Sequence, residues 1–416
     1  NIGPTLTRWI AAHDRSVMDS IVAQDRANVR KFGVGNAMAQ AYNHTILPLA
    51  NYRDKVTQTA WGIADFEFYF GRKPRGMWLP ESAVDTETLM VLADFGIEYV
   101  ILAPWQAHVH ELDPLEPYWI SLPGRRKIAA FFYQGDLSAR ISFDEDATTN
   151  ADAFVKQELL ARLSHSRRQR GDPQILTIAS DGELYGHHKQ HREMFLKHLV
   201  NGASSSADIQ ITFPALWLRE HPPRKTVPLR YNTSWSCHHG VKRWDTGCSC
   251  TPGSSKWKDH FRQALNKLAA LLDDLYYEET SRYVSEPWQL RQRYIEVVLG
   301  KCTLDSLLGE FTTHTITAQT RYRLHRLLES QYERQRMFTS CGFYFEDFDR
   351  IEPRNNVAYA AQSVWMAYQA TGIDLAPKAV AWLAKVTSGK GQVRADQVFM
   401  QQLVRAQTSH LSMPVR

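Results

Sequence analysis

Apolar and polar residues alternate along residues 73–104 in a pattern that predicts a strand, a loop, a helix and a second strand. The short apolar run 76–79 is followed by Asp85, which can cap a helix that ends at Gly96. A β-branched apolar run at 97–102 then reads as the second strand. The segment therefore has the pattern of a βαβ unit.

The same alternation continues toward the middle of the chain. Strands are predicted at 127–133, 174–180 and 208–213, and a helix at 151–165. The turn Gly171-Asp172-Pro173 precedes the second of these strands. Alternating strands and helices predict an α/β unit with a mostly parallel sheet, covered on both faces and either open or closed into a barrel.

Helical periodicity replaces the strand patterns after about residue 254. Helices are predicted at 256–284, 287–299, 317–336 and 355–371. Before them lies an irregular stretch rich in proline, glycine, cysteine and histidine, and long loops of this kind are usually functional. We therefore divide the chain into an α/β unit over 1–221, an irregular loop over 222–253 and an all-α region over 254–416.

Composition restricts the class of protein. Apolar residues make up 44% of the 416 residues and charged residues 22%, which excludes collagen-like and disordered chains. No apolar run reaches the roughly 18 residues that span a bilayer, and no signal peptide pattern opens the chain, so we expect a cytoplasmic protein without a membrane partner. The net charge of +5 is spread along the chain, which argues against nucleic acid as a partner. Nothing in the sequence indicates the oligomeric state.

Two carboxylates follow predicted strands, at the end where barrel enzymes hold their catalytic groups. Glu81 closes the run 78–81, and Asp181 follows the apolar run 175–179. Either residue alone is equally well explained as a helix cap or a turn residue. Together they supply the pair that glycosidic cleavage needs, one to attack the anomeric carbon and one to protonate the leaving oxygen. Glu81 must then stay ionised while Asp181 holds a proton at neutral pH.

Aromatic and amide side chains near these acids could contact a sugar. Trp78, Trp105 and Tyr133 offer flat rings for stacking, and Gln106 follows a strand where it could hydrogen-bond a hydroxyl. Each of these residues is equally explained as part of the core or of the rim of a cleft.

Three of the five cysteines lie close together in the irregular loop. Cys237, His239, Cys248 and Cys250 could form a Cys₃His zinc site, although Cys-x-Cys is a tighter bite than the usual Cys-x-x-Cys. The alternative is a loop of reduced thiols, which an odd number of cysteines also favours. A structural zinc ion is therefore one of two predictions for this loop, which we expect to lie over the mouth of the barrel.

Three stretches resemble signature motifs of glycoside hydrolase family 57, whose members act on α-glucans by retaining hydrolysis or transfer. Residues 76–81 resemble the third motif of that family, and residues 181–187 resemble the fourth. The resemblance implies that Glu81 is the nucleophile and Asp181 the acid/base. Residues 42–49 are similar to the second motif.

The resemblance also implies substrate contacts. His44 of the second motif is a candidate sugar ligand, as are Glu183 and His187 of the fourth motif. The fourth motif often ends in His-Trp, whereas here it reads His187-His188, so the sugar platform that the tryptophan would form is not expected. Residues 339–347 resemble the fifth motif, and Asp347 would reach the cleft from the helical region.

The whole chain resembles a branch of this family with a DUF3536-type C-terminal region, whose members carry segments like 234–240 and 248–250. The resemblance implies an incomplete seven-stranded (β/α) barrel followed by a helical bundle that closes over the active-site face. The first motif of the family is absent, and the start at Asn1-Ile2-Gly3-Pro4 looks like the end of a strand. We therefore expect Asn1 not to be the native start.

The activity that the resemblance implies is that of a retaining glycoside hydrolase or transglycosidase on an α-glucan or oligosaccharide. Amylase, glucanotransferase and branching activities all remain open, and catalysis is expected to need no cofactor. A non-catalytic carbohydrate-binding or scaffold relative is one alternative. A zinc-dependent polysaccharide deacetylase is another, because His187-x-x-x-His191 would place two imidazoles one helical turn apart.

Overall fold

A computed structural model describes residues 1–312, 314–389 and 391–411 of the chain. The strands of this part are β1 (Ala39–Gln40), β2 (Met77–Trp78), β3 (Tyr99–Leu102), β4 (Tyr118–Ser121) and β5 (Lys127–Phe132). None of its helices is both long and apolar enough to cross a bilayer.

Helices make up most of the regular structure. Up to residue 220 they are α1 (Pro4–His13), α2 (Arg15–Phe32), α3 (Tyr52–Phe70), α4 (Thr86–Asp94), α5 (Gly135–Phe143), α6 (Ala151–Phe154), α7 (Leu160–Arg162), α8 (His165–Arg170), α9 (Arg192–His198), α10 (Ser204–Ser206) and α11 (Pro214–Glu220). From residue 256 they are α12 (Lys256–Thr280), α13 (Pro287–Val298), α14 (Leu304–Phe311), α15 (Ala318–Arg336), α16 (Cys341–Tyr344), α17 (Ile351–Thr371), α18 (Ala376–Leu383) and α19 (Ala395–Leu411).

The chain forms two compact units, each assembled from segments that are distant in sequence. The sheet unit contains Ser16–Met38 and Pro74–Trp235. The helical unit contains Asn1–Arg15, Ala39–Lys73 and Ser236–Arg416.

The centre of the sheet unit is a three-stranded sheet in the order β3, β5, β4. Strand β3 runs parallel to β5, and β4 runs antiparallel to it. The predicted βαβ pattern is confirmed between β2 and β3: the Asp85 carboxylate caps α4 by accepting a hydrogen bond from Thr88 N at 2.8 Å, and Gly96 follows the helix with φ of 79°. Glu81 lies in the loop after β2, Trp105 and Gln106 lie in the loop after β3, and Tyr133 directly follows β5.

One glycine allows β2 to approach β3 closely. Gly76 bridges to Tyr99 in the parallel sense, and a Cβ at Gly76 would lie 2.2 Å from the ring of Tyr99. A larger residue would push the two segments apart. This contact fixes the position of the chain just before Glu81.

Two predicted strands are wrong. The segment 174–180 is extended but makes isolated hydrogen bonds, from Gln134 N to Thr177 O at 2.8 Å and from Ile175 N to Leu115 O at 2.9 Å, and no continuous ladder. The start of 208–213 instead closes α10, because Ile209 N donates to Ser204 O at 2.9 Å. A seven-stranded barrel is therefore not confirmed by the strands of the described residues.

The predicted helix at 151–165 is interrupted. It forms α6 and α7 with a π-helical turn, Val155–Leu159, between them. A new helix, α8, begins after Ser164, whose hydroxyl accepts a hydrogen bond from Arg167 N. The prediction of helical structure in this segment is confirmed, but the prediction of one continuous helix is wrong.

The four predicted helices of the C-terminal region are confirmed as α12, α13, α15 and α17. Leu290, Leu307, Leu324 and Tyr276 meet in one of the apolar cores of the helical unit. The start of the chain was expected to be the end of a strand, but a helix begins there: Gly3 precedes α1 and Pro4 occupies its first position, where the missing N–H costs nothing.

Candidate active site

Glu81 lies in a strained turn directly after β2. Its φ is 58°, and that of the following Ser82 is 48°, so two consecutive non-glycine residues have left-handed backbone. Such a conformation costs about 1 to 3 kcal/mol per residue and persists only where the surroundings impose it. Strain of this kind is concentrated at functional sites, which supports Glu81 as a chemical group.

Hydrogen bonds from neighbouring segments hold this turn. Trp235 N donates to the carbonyl oxygen of Glu81 at 2.9 Å, and Val84 pairs with Thr233 in an antiparallel bridge. The Gln106 amide donates from Nε2 to the carbonyl oxygen of Ser82 at 2.8 Å and to Thr233 Oγ1 at 3.2 Å. The segment before Trp235 thus lines one side of the turn and fixes the direction of the Glu81 side chain.

The position of Gln106 after a strand suggested that its side chain could contact a sugar, but the side chain lies inside the protein. It is fully buried, and its Oε1 accepts a hydrogen bond from Ala103 N at 2.8 Å while its Nε2 holds the Ser82 turn. These contacts use the polar atoms of the amide within the protein. Gln106 supports the turn that carries Glu81, and contact with a sugar hydroxyl finds no support in this geometry.

Four aromatic rings form a connected cluster that reaches the Glu81 carboxylate through Trp235. The indole Nε1 of Trp235 donates to Glu81 Oε2 at 2.9 Å, and the Trp235 ring lies edge to face with Trp78 at 5.0 Å and with Tyr133 at 6.2 Å between centroids. Trp105 packs on the other side of Tyr133 at 6.1 Å and is 45% exposed, so part of its ring is available to a ligand. The result is an aromatic wall beside a carboxylate, the combination that sugar-binding sites use.

Trp235 is the residue that sequence reasoning missed. It stands in the segment 234–240, which was noted only as a mark of one branch of the family. Because its partner Glu81 lies 154 residues away, no local pattern connects the two. The signal that could have found it is an aromatic residue within the segment that the family resemblance itself singled out.

Asp181 follows the extended segment 174–180 and begins a 3₁₀ turn, Gly182–Leu184. Ala179, two residues earlier, packs in the same apolar cluster as Tyr133, Trp78 and Trp235. The chain therefore enters the Asp181 turn from the aromatic wall that borders Glu81. Asp181 itself is exposed, as are Glu183 and His187 of the same motif.

The deacetylase alternative loses its structural basis here. His187 lies in a turn, and α9 begins only at Arg192, after His191 with φ of 63°. The two imidazoles are therefore not on consecutive turns of one helix. Within the part of the chain that the structure describes, no metal-ligating group of three or more residues contains either histidine.

Two predicted sugar ligands lie in the helical unit. His44 has φ of 54°, and its Nδ1 is 2.6 Å from Ser340 Oγ, which joins the regions that resemble the second and fifth motifs. Asp347 accepts hydrogen bonds from Phe348 N at 2.6 Å and Gly389 N at 2.8 Å, so its carboxylate stabilises a loop of the same unit. Their contact with substrate stays a prediction.

The Cys/His cluster, defined as Cys237, His239, Cys248 and Cys250, comes together in the helical unit. Its four ligand atoms all lie within 4.8 Å of one another. The three sulfurs belong to free cysteines. A possible metal site therefore exists where the sequence placed it, although Cys237 and Cys248 are eleven residues apart in the chain.

The helical unit also contains a polar cavity of about 350 Å³ between α3, α12 and α15. Asp54 and Arg334 form part of its wall and pair with each other at 2.5 Å. Arg291 pairs with Asp54 at 3.2 Å from the side of α13. This buried network contributes to the packing of four helices and is not part of the Glu81 site.

Comparisons with known proteins agree with these observations. A family model described as glycosyl hydrolase family 57 matches residues 24–230, and one described as a domain of unknown function, DUF3536, matches residues 254–413. Comparison with curated proteins gives no match.

Three solved structures share the fold. An exo-type maltose-forming amylase from Pyrococcus sp. ST04 is 13% identical with a TM-score of 0.77, over 96% of this chain and 75% of that one. A branching enzyme of family 57 type from Pyrococcus horikoshii is 15% identical with a TM-score of 0.60, over 96% and 75%. A 4-alpha-glucanotransferase from Thermococcus litoralis is 16% identical with a TM-score of 0.54, over 88% and 52%. The two family matches show that the chain belongs to glycosyl hydrolase family 57 and carries a DUF3536 region on its C-terminal side.

Proposed function

We propose that this protein is a retaining glycoside hydrolase or transglycosidase that acts on α-glucans, with Glu81 as nucleophile and Asp181 as acid/base. The observation that carries the proposal is the Glu81 carboxylate itself, held in a strained turn by Trp235 and bordered by aromatic rings. Membership of family 57 supports the reaction class. The similar structures are described as a maltose-forming amylase, a branching enzyme and a 4-alpha-glucanotransferase, and we take from them the class of substrate.

Glu81 attacks the anomeric carbon in this proposal. A carboxylate that accepts a hydrogen bond from a neutral indole N–H keeps its negative charge and is held in one orientation, whereas an arginine partner would neutralise much of its charge. The strained turn fixes the approach of the oxygen, so that less orientation has to be gained when substrate binds. The glycosyl–Glu81 ester forms as the leaving oxygen departs, and water or an acceptor hydroxyl later displaces it with the anomeric configuration retained.

Asp181 protonates the leaving oxygen and then removes a proton from the incoming water or acceptor hydroxyl. We expect its carboxyl group to lie about 5 to 5.5 Å from that of Glu81, the separation typical of retaining enzymes. The shared apolar cluster of Ala179 and Trp235 supports this arrangement. The scaffold that brings the two acids to one face is, in this proposal, the incomplete seven-stranded (β/α) barrel of the family.

The substrate contacts that we propose follow from exposure and ring chemistry. The exposed part of Trp105 and the edge of Trp78 stack on glucose rings, and Glu183 and His187 hydrogen-bond hydroxyls. The reaction needs no cofactor, because carboxylates fill both roles, and a zinc ion at the Cys/His cluster would hold a loop without taking part in it.

Product analysis tests this function. Amylose and maltooligosaccharides are incubated with the full chain, and the anomeric form of the first product is followed by NMR before mutarotation. We expect α-products, and the balance between shorter oligosaccharides, longer ones and branched ones distinguishes hydrolysis, transfer and branching. Glu81→Gln should remove turnover by at least about 10³-fold, because the nucleophile is lost.

The matched control is Glu87→Gln, which removes the same charge from an exposed position on α4 of the same unit. It should leave turnover within about twofold, as surface changes do. A wild-type protein that binds maltooligosaccharides without turning them over would support the non-catalytic relative instead. β-Products would show inversion and exclude Glu81 as a nucleophile.

A further inference from the structure

The ligand atoms of the Cys/His cluster are spaced as in a metal site, and the protein supplies all four of them. We propose that Cys237, His239, Cys248 and Cys250 bind one zinc ion, and that this ion is structural and holds the loop 237–250 in place. All four ligands belong to the helical unit, and zinc binding by them does not depend on the proposed reaction.

The four ligand atoms all lie within 4.8 Å of one another, and three of the distances between them are close to the edges of a tetrahedron around zinc. With Zn–S bonds of about 2.3 Å and a Zn–N bond of about 2.0 to 2.1 Å, a tetrahedral site has S–S edges of about 3.8 Å and S–N edges of about 3.6 Å. Cys237 Sγ lies 3.5 Å from Cys248 Sγ and 3.8 Å from Cys250 Sγ. His239 Nδ1 lies 3.2 Å from Cys250 Sγ. An ion at the centre needs only small shifts of the side chains.

The backbone of the loop is shaped to bring these ligands together. Gly240 N donates to Cys237 O at 3.1 Å, and Gly240 has φ of 77°, which closes a tight turn around His239. Gly247, with φ of 84°, has no room for a Cβ, which would lie 2.5 Å from Ser255 Oγ and 2.7 Å from Ser255 O. This second glycine allows the chain to reach Cys248 directly from its contact with the start of α12.

The loop is anchored between the two pairs of ligands. Trp244 is fully buried, and its carbonyl oxygen accepts hydrogen bonds from Arg262 Nε at 3.0 Å and Nη2 at 2.6 Å. Apart from the 3₁₀ turn Lys242–Trp244, no helix or strand is present between residues 237 and 250. A loop with so little regular structure gains most from a crosslink, which explains why a metal would be placed here.

The charges around the cluster also fit zinc. Three thiolates and one neutral imidazole around Zn²⁺ leave one negative charge, which a nearby cation can balance. Lys258 of α12 is fully buried and lies close enough to interact electrostatically with Cys237 and Cys248. The Arg243 guanidinium also lies beside the cluster, because its Nη2 donates to Cys250 O at 3.4 Å. Four protein ligands leave no open position for a substrate or a water, so the site is structural rather than catalytic.

Metal analysis of the full chain tests the proposal. Elemental analysis after extensive dialysis should give one zinc per chain, and protein grown with cobalt should show the visible absorption bands of a tetrahedral thiolate site. Prolonged treatment with a strong chelator should lower the melting temperature by at least about 5 °C, and added zinc should restore it. None of these measurements needs a glucan, so their outcome does not depend on the proposed activity.

Cys248→Ser should lower the zinc content to below a tenth of an equivalent and lower the melting temperature as chelation does. The matched control is Cys302→Ser, which changes a free cysteine that packs outside the cluster and should keep the zinc. If Cys248→Ser does not fold, the wild-type zinc content and the cobalt spectrum still decide the question. Absence of metal from the wild-type protein, a disulfide between the cluster cysteines by mass spectrometry, or zinc that leaves without any change in melting temperature would overturn the proposal.

Discussion

Asp54 of the helical unit and Glu81 of the sheet unit are carboxylates held in opposite ways. Asp54 is 6% exposed, pairs with Arg334 and Arg291, and accepts a hydrogen bond from Gln335 Nε2 at 2.7 Å. Glu81 is half-buried, and its carboxylate accepts a hydrogen bond from the indole N–H of Trp235. The first carboxylate is paired with cations, whereas the second is bound by an uncharged donor from an aromatic ring.

The backbone shows the same contrast. Asp54 lies in the first turn of α3, where Asn51 caps the helix, so its main chain is relaxed. Glu81 lies in left-handed backbone. Burial opposes the ionisation of Asp54, but the guanidinium charges of Arg334 and Arg291 overcome it and lower the pKa of that carboxyl. We infer that Asp54, buried and paired with cations on relaxed backbone, serves packing, and that the strained backbone of Glu81 supports the chemical role proposed for it.

The largest effect that we expect on the comparison comes from removing the charge of Asp54. Asp54→Asn should lower the free energy of unfolding by about 3 to 5 kcal/mol, because two buried guanidinium groups lose a partner. Urea unfolding measures this loss. Glu81→Gln should change the same quantity by less than about 1 kcal/mol, since the role that we propose for Glu81 is chemical. Equal losses in the two variants would show that Glu81 is structural as well.

The second prediction tests whether Asp181 is the acid/base that the proposed reaction of Glu81 requires. Asp181→Asn should lower kcat on maltooligosaccharides by about 10²- to 10³-fold, because the leaving oxygen is no longer protonated. Turnover of α-glucosyl fluoride should fall much less, because fluoride departs with little protonation. Asp172→Asn, in an exposed turn of the same unit, is the matched control and should change neither rate. Equal losses on both substrates would contradict the acid role.

The third prediction concerns the neutral donor beside Glu81. Trp235→Phe keeps the ring of the aromatic wall and removes the N–H, and it should lower kcat/KM by about 10- to 100-fold, the value of one hydrogen bond to a charged group. Trp217→Phe is the matched control, because the buried Nε1 of Trp217 has no hydrogen-bond partner among the described residues. If both variants lose activity equally, the indole N–H of Trp235 has no special role.

The smallest effect that we expect concerns a third carboxylate, Asp65 of α3, which extends the comparison to a buried acid with a raised pKa. Burial raises the pKa of Asp65 to about 7, against the opposing charges of Arg8 and Lys301. As the pH rises, Asp65 therefore loses its proton in the unfolded state before it does so in the native state. Between about pH 4 and 7 the native state becomes less stable relative to the unfolded state. Asp65→Asn should be more stable than the wild type at pH 8 and nearly equal to it at pH 4. Equal differences at both pH values would contradict the raised pKa.

Local patterns predicted the elements that depend on neighbours in the sequence. The Asp85 cap, the end of α4 at Gly96 and the helices α12, α13, α15 and α17 follow from periodicity and capping within one segment. The strands expected at 174–180 and 208–213 were wrong because an apolar extended segment becomes a strand only when a partner offers a continuous ladder. That partner is a property of the whole fold.

For the candidate site, the sequence by itself determined which acids to consider. Glu81 and Asp181 follow apolar runs, and the motifs around them indicate the family that the comparisons confirm. The Cys-x-His and Cys-x-Cys spacing likewise placed a possible metal site in the correct loop. These features are local, because each depends on residues within one short segment of the chain.

Only the tertiary structure decided what surrounds those residues. Trp235 reaches Glu81 across 154 positions, Gln106 is buried behind the turn, and Asp54 meets Arg334 across 280. Contacts of this length depend on how segments distant in the chain pack, and a hydrogen bond or ion pair between such segments leaves no periodic trace in either one. The sequence therefore identified the candidate acids, whereas packing determined what surrounds Glu81 and the strain in its backbone.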